Sequence, residues 1–412
     1  MIITTNFRVH LNEQDEETLF TSKHLSLGPL SFTTPCKLFD LNNPPSVSAF
    51  QALDQKHLAT VMIAERSRFI HQETFMREAD HPEARFLADS YDALKRPGIL
   101  GNKMVVNSLT FTFNPFNVPN PDGYLRSILH IYHGRSDLLL IPNLKVKRYD
   151  ERQRPEFQVQ EDEFSRYVDM AYEILNFRNS KPIFVPVPLK YGVRRFQSIL
   201  LEYLTKGYRY FWLDFEGSNT TSKAPHIRSF HDCVDTEGLG EEVVLYGSNI
   251  RRENNPHLPD PRCPASDFLT APLGVDIIGV NREPQRGGGD PGKRRPYVPP
   301  PADEIIRHRA RFLDRDDYTY VKYSEYPQSE ELFEKYHIDE DLIRLNPKFY
   351  ANFVNTFEIN EELAHHQTIV NENDSLLGYL GTKPSINPKL MKAFEKIVHG
   401  ESETQKTLDK FF

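Results

Sequence analysis

Two carboxylates stand two residues apart, Asp214 and Glu216, at the end of the most strand-like run in the chain, Tyr208-Arg-Tyr-Phe-Trp-Leu-Asp-Phe215. Side chains two apart on a strand project to the same face, so both can converge on one proton or one metal ion. Gly217 follows and lets the backbone turn sharply. Such a pair suits general acid–base work, or it forms a two-carboxylate seat for Mg2+. The plainer alternative is a salt bridge from one of them to a nearby lysine or arginine.

Polar residues close the other apolar runs as well: Asn107 and Ser108, Asn143 and Lys145, Lys190, Ser248 and Asn249 with Arg251 and Arg252, and Asn281 with Arg282 and Glu283. On parallel strands these would share one rim, where Arg251 and Arg252 are natural phosphate binders. Asp276, in the last such run, is the third carboxylate candidate. His226, His231 and Asp232 fall on the helix expected after Glu216. His231 and Asp232 are adjacent and face different ways, so these three are expected on the surface. His365-His366 is a weak signal.

The elements that must position these groups are legible in part. Residues 1–60 mix short apolar runs with turn signals and predict irregular β structure. Strands are expected at 59–64, 103–113, 137–141, 181–188, 208–215, 242–246 and 275–280. The prolines of 181–188 argue against a central position for that strand. Phe164, Tyr167, Val168, Ala171, Ile174 and Leu175 share one helical face, as do Val193, Phe196, Ile199, Leu200, Tyr203 and Leu204. Strands alternating with helices predict an α/β fold with a parallel sheet over 61–281, a TIM-like barrel first and an open doubly wound sheet second. Residues 282–302, with Gly287-Gly-Gly289 and Pro299-Pro-Pro301, predict a flexible loop, and its Lys293, Arg294 and Arg295 would touch phosphates. A helical section is expected over 303–400, including helices at 303–313 and 330–336, and a polar tail over 401–412.

Composition sets limits on partners. The 412 residues carry a formal net charge of -8. A mildly acidic chain has no general phosphate-binding field, so DNA contact must come from local basic patches or a tether. Three scattered cysteines, Cys36, Cys233 and Cys263, fit neither a structural zinc site nor a secreted disulfide scaffold. No run approaches the length of a membrane span, and an intracellular protein is expected.

The tail Gln405-Lys-Thr-Leu408-Asp-Lys-Phe411-Phe412 resembles the clamp-binding peptides of archaeal and eukaryotic replication partners. Leu408 and Phe411 lie three apart, so one turn of 3₁₀ helix puts them on one side as a plug for a greasy pocket. Gln405 would fill a neighbouring polar socket. An arbitrary eight-mer matches this pattern only ~1 time in 10⁴ at ordinary residue frequencies. The resemblance implies a sliding clamp (PCNA) as partner, with DNA close by. It also implies a nuclear location in a eukaryote or a cytoplasmic one in an archaeon.

Residues 100–365 resemble the tRNA-guanine transglycosylase superfamily, whose members exchange guanine for a 7-deazaguanine in nucleic acid. Val106-Asn107-Ser108 matches an aspartate-serine turn of that family, Leu273-Gly-Val-Asp-Ile-Ile-Gly279 its last-strand motif, and Leu345-Asn-Pro-Lys-Phe-Tyr350 the opening of its C-terminal helix. The resemblance implies a barrel and base exchange, with departures. The aspartate nucleophile's slot holds Gly279, the first-motif aspartate is Asn107, Phe215-Glu216-Gly217 replaces a glycine pair, and the zinc cysteines are missing. Asp214 and Glu216 are then the expected catalytic pair. A metal-dependent nuclease and a non-catalytic clamp-binding adaptor are the alternatives.

If the tail is a clamp ligand, deleting 405–412 should abolish co-purification with a sliding clamp. Undiminished clamp affinity of the truncated chain in a binding titration would refute the assignment.

Overall fold

In the computed structural model the described residues are 7–42, 63–80, 103–145, 159, 161–176, 181–250, 262–281, 310–326, 329–386 and 388–399. Arg251, Arg252, Lys293, Arg294 and Arg295 lie outside them, as do the loop 282–302 and the tail with Gln405, Leu408, Phe411 and Phe412.

The N-terminal segment, expected to be irregular, is a regular antiparallel meander. Strands β1 (Phe7–Gln14), β2 (Thr21–Leu27) and β3 (Leu30–Thr34) pair in sequence order. Gly28 takes φ 61 in the β2–β3 turn, a conformation that a Cβ would strain.

The strands then become parallel. In chain order they are β4 (Cys36–Lys37), β5 (Phe39–Asp40), β6 (Ile63–Ile70), β7 (Met104–Phe111), β8 (Leu139–Leu140), β9 (Asn143–Leu144), β10 (Ile183–Pro186), β11 (Tyr210–Asp214) and β12 (Val244–Ser248), followed by β13 (Arg262–Pro264) and β14 (Ile277–Ile278). Six of them form one curled parallel sheet in the order β4-β14-β12-β11-β10-β8, and β5-β6-β7-β9 form a second. Leu38 alone separates β4 from β5, and its N–H donates to the Ile278 carbonyl at 2.9 Å. On the other side, a parallel bridge joins Val106 of β7 to Leu138, next to β8. β10 is central despite its prolines, pairing with β8 and β11. Pro186 is its last residue, and the next N–H, Val187, carries the ladder on to the Trp212 carbonyl at 3.0 Å.

Helices α1 (Gln72–Asp80), α2 (Pro121–Arg135), α3 (Glu161–Asn176), α4 (Val193–Thr205) and α5 (Ala224–Thr236) alternate with the strands; apolar spacing predicts α3 and α4, whereas α1 and α2 were not expected. In α4 the stripe Phe196, Ile199, Leu200, Tyr203 and Leu204 is buried. Strand side chains divide by parity. Trp212, Val244, Tyr246, Phe184, Met104 and Ile63 form one apolar cluster on the inner face. Phe211, Leu213, Leu245, Val185 and Phe111 join the helices in another. This two-sided burial is why the strands read as continuous apolar runs.

Beyond residue 309, the expected helix over 303–313 gives way at its described end to β15 (Arg311–Asp314), which pairs with β16 (Thr319–Lys322) and through it with β13. Helices α6 (Ser329–Tyr336), α7 (Glu340–Leu345), α8 (Pro347–Asn371), α9 (Leu376–Gly381) and α10 (Pro388–His399) follow. The Asn346-Pro347 pair opens α8 as a cap, the Asn346 side chain accepting from the Phe349 N–H. α8 is fastened to β4 by Asn360, whose amide accepts from the Lys37 N–H at 2.7 Å and donates to the Lys37 carbonyl at 3.1 Å. Among the described residues no helix is long and apolar enough to cross a membrane.

At the N-terminal ends of the parallel strands sits a buried ion pair. Asp276 lies 3.1 Å from Lys23 Nζ and also accepts from the Leu245 N–H at 2.8 Å, while Lys23 donates to the Val243 carbonyl at 2.7 Å. Removing one partner of such a pair strands a buried charge, at a cost of about 3–5 kcal/mol. Lys23→Met should lose about that much in urea unfolding. Lys206→Met, which breaks partly exposed pairs with Asp169 and Glu202, should lose about 1 kcal/mol or less. Equal losses in the two variants would contradict this account.

Candidate functional site

Asp214 ends β11 on the inner face, two residues after Trp212, and is 6 % exposed. Its carboxylate accepts three N–H groups: the Glu216 backbone at 2.9 Å, Asn249 Nδ2 at 3.1 Å and Asn143 Nδ2 at 3.4 Å. Asn143 comes from β9 and Asn249 follows β12, so strands on both sides of β11 hold this one side chain. Asn143 is itself buried, and among the described residues its Oδ1 has no hydrogen-bond partner.

Glu216 lies beyond the strand, so the expectation that it shares a strand face with Asp214 does not apply. It takes φ 49, and Asn249 takes φ 62, left-handed conformations uncommon for residues with a Cβ. The Gly217 N–H donates to the Asn249 carbonyl at 2.8 Å, locking the two turns together. Strain of this kind persists only where the surroundings over-determine it, and it concentrates at functional sites. The turn brings the Glu216 carboxylate onto Lys190, in the loop after β10.

Burial pushes the Glu216 carboxyl up to about 7, and the neighbouring Asp214 charge adds to the rise. Lys190 and Lys145 pull it back without cancelling it. Desolvation outweighs the ion pair because it acts on the whole charged carboxylate, while the lysines remain partly hydrated. Near neutral pH this group can both give and take a proton.

Two residues near the site, Glu65 and Phe69, were not singled out in the sequence. Glu65, fully buried on β6, accepts from Ser108 Oγ and from the Val280 N–H, each at 2.5 Å. Gly279 makes this possible, because a Cβ there would lie 2.8 Å from Glu65 Oε2 and 2.6 Å from the Tyr246 hydroxyl. The Val280 carbonyl in turn accepts from the Asn249 N–H at 3.0 Å, connecting Glu65 to the residue that holds Asp214. Phe69, near the C-terminal end of β6, is 48 % exposed, and Lys145 Nζ stands 5.6 Å from its ring centroid. An alternating pattern beginning Ile-Ala-Glu at 63–65 could have flagged Glu65; nothing local flags Phe69.

Other expected site residues lie apart from this group. Asp276 is at the opposite strand ends, in the ion pair with Lys23. Asn107 donates to the Arg135 carbonyl and to Ser136 Oγ, both at 2.9 Å, fastening the end of α2. Asn281 serves Asp267 at 2.6 Å and the Ile250 N–H at 3.0 Å. His226 and His231, expected on the surface, are packed against neighbouring backbone, with ring nitrogens 2.9 Å from the Tyr191 carbonyl and 3.0 Å from the Leu273 carbonyl. Burial lowers both, His231 to about 4. A cavity of about 350 Å3 lies elsewhere, beside α8. There Arg315 pairs with Glu358, Glu361 and Glu362 and Lys383 with Glu362, so these charges read as part of the scaffold.

The Mg2+ expectation fits the geometry poorly. Glu216 faces the Lys190 ammonium and Asp214 Oδ1 takes two N–H groups, which leaves Asp214 Oδ2, with one donor at 3.4 Å, as the less occupied oxygen and no paired carboxylate seat for a cation. Among the described residues no three His, Cys, Asp or Glu side chains gather as a metal site.

The raised Glu216 carboxyl is a stability statement. Its folded value lies above the ordinary 4.5, so its contribution is intact below pH 4.5 and is lost as pH rises through about 7. The loss is at most about 3 kcal/mol, reduced by screening of a side chain that is 23 % exposed. Glu216→Gln should therefore raise the melting temperature relative to the parent at pH 8 and leave it nearly unchanged at pH 4. An equal shift at both pH values would rule this out. In comparisons with known proteins, the chain matches no family model and no curated sequence.

Proposed function

We propose that the chain is an enzyme that exchanges a base in DNA, guanine for a 7-deazaguanine, through a double displacement at Asp214 and Glu216. The observation that carries this reading is the contrast between the two neighbouring carboxyls. Asp214 is fixed by three N–H donors, while Glu216 is poised near 7. Two carboxyls in unlike environments are the working arrangement for glycosidic bonds, one as nucleophile and one as proton donor. In the proposed step an Asp214 oxygen attacks the sugar C1′, the bond from C1′ to the base nitrogen breaks, and Glu216 protonates the departing base. The incoming base then attacks C1′, displaces Asp214, and returns its proton to Glu216.

The strand pairing supports the same reading. We read β4 and β5 as one strand and the bridge from Val106 to Leu138 as a seam, which would join the two parallel sheets as a TIM-like barrel. Asp214, Glu216, Asn143, Lys190 and Asn249 then stand together at its C-terminal mouth, the catalytic end of such folds. The clamp-like peptide supplies the DNA address that an acidic chain needs.

The test is incorporation of labelled guanine or a 7-deazaguanine into duplex DNA. Wild type should incorporate label, Asp214→Asn should not, and Glu216→Gln should be slower by about 10²–10⁴-fold. The wild-type kcat/KM should fall as pH rises through about 7, a limb absent in Glu216→Gln. Mg2+-dependent strand cleavage lost in Asp214→Ala would overturn the proposal in favour of a nuclease. Clamp binding with neither activity would leave an adaptor.

A further inference from the structure

The geometry points to Phe69 as a stacking platform that holds one unpaired nucleobase at the acid–base pair, so that the substrate nucleotide is bound out of its helix. This inference rests on the proposed nucleic-acid function of the Asp214–Glu216 site and adds how the substrate is presented there.

Four observations converge on it. First, parity puts Phe69 on the inner face. Ile63 belongs to the inner cluster with Trp212 and Tyr246, while Ala64 and Ile70 pack in the outer ones, so Glu65, Ser67 and Phe69 follow Ile63. Secondly, this large aromatic is half-exposed although it sits near the C-terminal end of a strand whose inner neighbours are polar or buried. Inner-face neighbours Glu65 and Ser108 are buried, and Thr110, its register partner on β7, is 3 % exposed. Thirdly, Thr110 is also the register partner of Asn143 on β9. Phe69 and Asn143 are therefore two strand spacings apart on one face, roughly 10 Å, comparable with the span of a base and its sugar. Asn143 donates to Asp214 and keeps a buried, unpartnered Oδ1. Turning that amide over would point an oxygen at a carboxylate, so the acceptor is fixed in place and suits an N–H on a base edge. Fourthly, Lys145 links the two ends, its ammonium standing over the Phe69 ring while its charge acts on Glu216. An exposed ammonium there also suits the phosphate of a displaced nucleotide.

A base inside a duplex cannot present its glycosidic bond to a recessed carboxylate, and enzymes that act there extrude it and stack it on an aromatic. Such stacking contributes about tenfold or more in affinity per base.

The experiment uses the full chain and two oligonucleotides carrying a single 2-aminopurine, one unpaired and one in a perfect duplex. Wild type should quench the fluorescence of the unpaired probe on binding and prefer it over the duplex. Phe69→Ala should weaken binding of the unpaired probe about tenfold or more and abolish the quench. Phe69→Leu, which keeps apolar bulk without a π face, should behave like Phe69→Ala, and Phe69→Tyr should behave like wild type. Wild-type quenching and affinity in Phe69→Ala or Phe69→Leu would overturn the inference, as would no binding of either probe by wild type. The two proposals fail separately. Base exchange with an unaltered KM in Phe69→Ala removes the platform alone, whereas Phe69-dependent quenching without any exchange removes the base-exchange reading alone.

Discussion

The Glu65 carboxylate is the interaction on which the candidate site depends. It lies in the inner face with no solvent contact and joins three separate stretches of chain: its own strand, Ser108 on the next, and the Val280 N–H at the far end of the parallel region. A buried carboxylate is tolerable only with its oxygens matched, and both are. Its demand on space explains Gly279, and its hold on Val280 sets the peptide that receives the Asn249 N–H. Asn249 then presents its amide to Asp214. The position of the candidate residue Asp214 is thus inherited through a chain of hydrogen bonds that begins on β6, in the other parallel sheet.

Much of the scaffold was legible because it follows from periodicity. The stripes of α3 and α4 and the run ending at Asp214 give helices and a strand where the apolar spacing puts them. The failures have physical causes. The meander over residues 7–34 looked irregular because turn signals crowd short strands. The prolines in and around β10 misled because Pro186 ends the strand and Pro182 and Pro188 lie outside it. Asp276 and Asn107 carry chemistry-bearing side chains, but burial and backbone partners commit them to the scaffold, and partners distant in sequence cannot be read from spacing. Of the site, Asp214, Glu216, Asn143, Lys145, Lys190 and Asn249 were visible as strand-end polar residues. Glu65 and Phe69 were not, since a single polar or aromatic residue in an alternating strand is ordinary.

Holding Glu216 in place costs stability in two ways. Its backbone is left-handed and its carboxyl is desolvated next to another negative charge. Both work against stability, and Lys190 offsets only part of the electrostatic cost. The Asp276–Lys23 pair at the opposite strand ends shows the contrast. There the charges are of opposite sign, hydrogen-bonded on both sides and buried without strain. One end of the strands carries a matched ion pair and the other a carboxyl whose charge is only partly offset.

The short stretch Cys36–Asp40 pairs on one side with Ile277-Ile278 and on the other with Ala64-Glu65, and α8 clamps it through Asn360 and Asn352. Its strand partners are therefore separated by about half of the chain, which sets a timetable for biogenesis. A ribosome must deliver nearly three hundred residues before this strand gains its second neighbour, and some eighty more before the helix that covers it. Until then the nascent chain carries an unpaired parallel edge, a form prone to association with other chains. Contacts this remote in sequence also form slowly. Closure of this strand on both sides therefore waits on segments made long after it.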